Sequence, residues 1–78
     1  MPLFYFHLHD RFGFTQDSKG RELGGLDQAH QRALLEARAL ICEDVRTGHL
    51  DLSGRIEVVD DSGEVVLTLS FAESVAKP

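Results

Sequence analysis

His7 and His9 stand two residues apart in the opening LFYFHLHD, and Asp10 follows directly. Two imidazoles and a carboxylate are ligands that zinc or another borderline metal accepts. If the segment is a strand, both histidines project from one face, and a complete site needs further donors from elsewhere in the chain. Glu57 and His49 are the candidates for that part. Histidines at strand positions are more often solvated or packed on the sheet than metal-bound. A metal-binding or enzymatic protein using His7, His9 and Asp10 is therefore the alternative reading, and no metal ligand is assigned.

Other side chains with chemical potential have structural explanations nearby. Asp60 and Asp61 fall in a turn sequence, where aspartate bonds locally to the backbone. Glu43 and Asp44 approach the end of a helical pattern, where the helix dipole disfavours negative charge, so Asp44 is predicted to pair with Arg38, Arg46 or His49. Cys42, the lone cysteine, carries no flanking nucleophile signature and reads as a small helical hydrophobe. Gly20, Gly24 and Gly25 lack the strand–glycine–helix spacing that cradles a phosphate. No catalytic residue and no cofactor emerges, and the chain reads as non-enzymatic.

The elements that position these residues follow from periodicity. Leu3 to His9 alternates, placing Phe4, Phe6 and Leu8 on one face and Tyr5, His7 and His9 on the other. Turn signals at Gly13 and at Asp17-Ser18-Lys19-Gly20 leave a short second strand near Gly20 to Leu23. Gly24-Gly25 breaks the pattern, and Asp27 is the expected N-cap of a helix that Gly48 stops. Within it Ala29, Ala33, Leu34, Ala37, Leu40, Ile41 and Val45 form one apolar stripe of a helix of about 20 residues. Arg55 to Asp60 and Glu64 to Ser70 alternate around Asp60-Asp61-Ser62-Gly63, which predicts a hairpin. In that hairpin Ile56, Val58, Val65, Leu67 and Leu69 are expected to face the helix and Glu57, Val59, Val66, Thr68 and Ser70 to face away, with Phe71 closing one end of the core. Residues 73–78 are expected to fray. The fold class is α+β, in the order ββαββ, with one amphipathic helix on a mainly antiparallel four-stranded sheet.

Size and charge bound the function. At 78 residues the chain holds one small α+β domain, residues 1–78, whose single core is marginal without a staple or a partner. One cysteine permits no internal disulfide and points to a reducing, cytoplasmic setting. The apolar stretch before His7 is shorter than the ~7 to 15 residues of a leader's hydrophobic region, and no window reaches the ~18 to 20 of a membrane span. A net charge of -5 disfavours a nucleic-acid partner, whose phosphates demand lysine and arginine.

MPLFYFHLHD at the start, GRELGGL from Gly20, ALLEARAL at Ala33 to Leu40 and RIEVVDDSGEVVLTLSF at Arg55 to Phe71 together carry a resemblance. Over Pro2 to Phe71 the chain resembles a family of short, uncharacterised alphaproteobacterial proteins of rhizobial and methylobacterial type, a domain of unknown function. The resemblance implies the ββαββ order and brings no activity, substrate or catalytic residue. Members place glycine directly after the Asp10 position, whereas this chain has Arg11-Phe12-Gly13, which implies a displaced or longer first turn. In architecture alone the chain is also similar to antitoxin-type domains of the HicB sort, which implies an antitoxin-like, protein-binding alternative.

What the core leaves over suggests an interface. Tyr5, His7, Val59, Val66 and Thr68 are expected on the outer sheet face, a semi-apolar patch. Leu35 and Cys42, seven residues apart, align on the helix side away from the core stripe. The expectation is a small interaction module that self-associates as a homodimer through one of these surfaces, with a foreign protein as the other possible partner.

Overall fold

The computed structural model describes residues 2–75. Strand β1 (Leu3–Asp10) turns into β2 (Gly13–Thr15), and β3 (Arg21–Glu22) precedes helix α1 (Leu26–Arg46). Strands β4 (Arg55–Asp60) and β5 (Val65–Ser70) follow, and a short 3-10 turn, Ala72–Ser74, ends the described chain. The sheet order is β2-β1-β4-β5 with antiparallel pairing, and β3 pairs with the same edge of β1 as β2 does. The fold is therefore the α+β arrangement of one helix on a mostly antiparallel sheet.

One helix covers one face. Alternation directs Phe4, Phe6, Ile56, Val58 and Leu69 toward α1, where they form a core with Ala29, Ala33, Ala37, Ile41 and Phe71. The alanines let the helix axis lie close to the sheet, since side-chain size sets the separation at a packed contact. Leu40 and Val45, expected in the same stripe, are 37% and 53% exposed. Four-residue steps trace the alanines down the centre of the contact, and the residues flanking that line fall at its margin.

Both helix ends differ in how they are closed. Gly25, not Asp27, is the N-cap; Asp27 lies in the first turn, where its charge complements the dipole instead. At the other end the Gly48 N–H bonds to the Val45 carbonyl and the His49 N–H to the Asp44 carbonyl, with Gly48 at φ 90°. That pairing is the left-handed glycine closure expected after a helix.

The edge beyond β1 is built from two fragments. Gly13, expected to lie in a turn, instead opens the strand Gly13–Thr15: Arg11-Phe12 is a two-residue loop, and Gly13 lies opposite Asp10. On the other side a bulge shifts the hairpin register, with Val58 opposite Leu67 but Val59 opposite Val65. Val66 is the extra residue. Consequently Val65 shares the outer face with Val59 and is exposed, while Val66 packs against the core, the reverse of the sequence expectation for both. Of the expected frayed segment, Glu73 and Ser74 belong to the 3-10 turn, with Ser74 buried and its carbonyl accepting from Arg38 Nε at 2.6 Å. Residues 76–78 lie outside the described residues.

Candidate functional site

The sheet face opposite α1 is where the chemistry-bearing residues collect. Pairing across β1, β4 and β5 lays them out in rows: Tyr5, Val59 and Val65; then His7, Glu57 and Thr68; then His9, Arg55 and Ser70. Phe14, next to the Gly13 turn signal and opposite His9 on β2, adds a further aromatic. Its ring centroid lies 4.7 Å from that of His9 and 5.6 Å from that of His7, and Tyr5 stacks on His7 at 6.4 Å. Four rings thus form one continuous cluster on an open face. A glycine three residues after Asp10, followed by an aromatic, was the signal for it, since a two-residue loop there returns Phe14 beside His9.

The two histidines are held by different partners. His7 Nδ1 accepts the Asp17 N–H at 3.0 Å. His9 Nε2 meets Glu57 Oε1 at 2.7 Å. Asp10 is not with them: alternation puts it on the other side of the sheet, and its Oδ1 accepts the Phe12 N–H at 2.9 Å. His49 lies beside Thr47 at the end of the helix. Among the described residues no group of three or more His, Cys, Asp or Glu side chains is arranged to hold a metal ion.

Asp17 completes the site from the edge. Between β2 and β3 no strand reaches the middle of β1, and Asp17 Oδ2 accepts the Phe6 N–H there at 3.1 Å. Its Oδ1 accepts from Lys19 and Gly20. The Gly20 position lies against the Tyr5 ring, where a Cβ would come within 2.8 Å of Cε2, so the loop folds down onto the face only with glycine there. A shallow groove of about 300 Å³ results, between Tyr5, His7, Asp17, Val59 and Asp61.

The helix candidate is separate. Leu35 is 56% exposed and lines an open groove with Arg32, Glu36, Ala39 and Leu40, while Cys42 is exposed beyond it. The Asp44 carboxylate pairs with none of the side chains expected for it. Arg11 bridges Asp44 at 3.1 Å and Asp51 at 3.0 Å, tying the first turn to the far end of the helix.

The sequence profile of a domain of unknown function, DUF6894, matches residues 3–72. The chain belongs to the DUF6894 family. The match takes in every strand and the whole helix, so the ring cluster, Asp17 and the helix groove all lie within the family's domain. No curated protein and no solved structure matches the chain.

Proposed function

We propose that this domain is a small, non-enzymatic interaction module that self-associates through the sheet face left uncovered by α1. The observation that carries the reading is the outer face itself, with Tyr5, His7, His9 and Phe14 in ring contact and Val59 and Val65 beside them. A two-layer domain with one core of this size gains from burying a second apolar surface, and twofold dimers are the commonest way to do so. The carboxylates nearest the histidines are engaged in structural bonds, Asp17 to backbone N–H groups and Glu57 to His9, which favours a recognition surface over an acid–base site. No helix of the described chain is long and apolar enough to cross a membrane. A single exposed cysteine suits a reducing compartment, and we assign the domain to the cytoplasm.

Light scattering at micromolar concentration tests this. The expected result is a dimer mass for the wild type, a monomer mass for Val65→Lys, and an unchanged dimer for Leu35→Lys. A charge desolvated in an apolar contact has no partner to offset its cost, whereas one on a free surface is neutral. A dimer broken by Leu35→Lys alone would move the interface to the helix, and a monomeric wild type would end the reading.

A further inference from the structure

The uncovered face carries opposite charges at the two ends of β4, with Glu57, bonded to His9, between them. Arg55, exposed at the start of β4, lies at one end beside His9. At the other end, past Val59, comes the exposed Asp61 in the hairpin turn, with Asp17 across the groove from it. Lys19 in the same loop leaves that end still net acidic. Arg55 and Asp61 are about 20 Å apart along the strand at ~3.4 Å per residue. Between them run the rows headed by Tyr5 and His7.

Building on the self-association proposed above, we infer that two copies stack face to face with their strands running in opposite directions, Arg55 of each copy over Asp61 of the other. A twofold axis lying in the interface has two simple orientations on such a face. Parallel to the strands, it sets acidic end on acidic end and Arg55 on Arg55, and like charges brought together in an interface are strongly unfavourable. Perpendicular to the strands, it reverses the direction and makes the same complementary contact twice. The charge pattern selects the second, and with Arg55 over Asp61 the row of Tyr5, Val59 and Val65 lies over the row of His7, Glu57 and Thr68 in the other copy, so that Tyr5 meets the opposing His7 ring. The domain measures 38 × 29 × 16 Å, and its broad side is large enough for the ~800 Å² per partner that a stable dimer commonly buries.

Charge exchange between copies is the test. Arg55→Glu and Asp61→Lys are made separately, their folding is checked by thermal melting, and each is measured by sedimentation at physiological ionic strength, alone and as an equimolar mixture. Each variant alone places two like-charge contacts in its own dimer, so its dissociation constant is expected to rise at least about tenfold. The mixture restores both contacts with reversed or native sign, and a one-to-one heterodimer within a few-fold of wild-type affinity is expected. Arg46→Glu, on the exposed helix surface, carries the same charge change as Arg55→Glu and is expected to leave the dimer unchanged. A mixture that stays as weak as its components overturns the inference, as do variants that dimerise like wild type. If Val65→Lys still breaks that dimer, only the strand orientation has failed; if the wild type is a monomer, self-association has failed with it.

Discussion

Asp17 and Glu73 satisfy backbone amides that no strand reaches, one at each margin of the sheet. Asp17 takes the Phe6 N–H in the gap between β2 and β3, and Glu73 Oε1 takes the Ser70 N–H at 3.0 Å while its own N–H donates to Ser70 Oγ at 3.1 Å. Such bonds stabilise the carboxylate form. Burial alone would raise the Asp17 pKa, but N–H groups of Phe6, Gly20 and Lys19 outweigh it and hold the group low. Asp51 is brought down to about 2 by the Ser53 hydroxyl and N–H and then by Arg11. The Ser62 hydroxyl and the Glu64 N–H lower Asp60, and the Ser70 N–H and hydroxyl lower Glu73. A carboxylate whose pKa is lower folded than unfolded adds stability above its unfolded value, near ~4, and that stability is lost as pH falls through the folded value. The melting temperature is therefore expected to hold level from neutrality to about pH 5 and to drop between about pH 4 and pH 2. Calorimetry across that range checks it, and Asp17→Asn should show a shallower acid limb.

At the scale of elements, the helix contributes through its alanine line and Ile41 more than through its larger leucines. Ile41 is buried at 8% exposure, so Ile41→Ala is expected to cost about 2 to 5 kcal/mol through lost burial and a residual cavity. Leu40, at the margin, should cost about 1 kcal/mol or less when replaced by Ala. Urea denaturation of both variants distinguishes them, and equal losses would place Leu40 in the core after all. The link between α1 and β4 is under a similar constraint. Gly54 is buried under the Phe71 ring, where a Cβ would come within 2.8 Å of Cε2 and 3.0 Å of the His9 carbonyl. One neighbour there is backbone and cannot yield, so Gly54→Ala is expected to lower the melting temperature by several degrees, corresponding to about 1 to 3 kcal/mol of overpacking.

For the molecule as a whole, the described chain leaves uncovered both the open sheet face and the free edge of β5. The Phe71 N–H bonds to the Gly54 carbonyl, and carrying that alternation up the ladder turns the backbone groups of Ser70 and Thr68 away from β4. An edge of this kind is a template for another strand. Here Ser70 and Glu73 form a reciprocal capping box that starts the 3-10 turn and occupies the Ser70 N–H, shortening the exposed edge. Glu73→Ala is expected to leave the core intact and to raise aggregation on warming, read as turbidity below the melting transition. No increase over wild type would show that the box does not guard the edge.

How much of this was legible in the chain depends on whether a local pattern had a single tertiary partner. The helix, β1 and the bounds of β4 follow from periods that one buried face imposes, and Gly48 and Gly63 mark their stops because both need positive φ. That His7 and His9 share one face also followed from alternation, whereas Asp10, grouped with them in sequence, lies on the other side of the sheet. The contribution of Phe14 did not follow, because a three-residue strand has no periodicity to read and exists only where β1 offers an edge. Nor did the exchange of Val65 for Val66 on the outer face: two adjacent valines are equivalent to any pattern, and the bulge that decides between them is set by how the hairpin registers on Val58 and Val59. Arg11 reaching Asp44 and Asp51, and Asp17 reaching Phe6, join residues far apart in sequence, so their partners were decided by the packed chain alone.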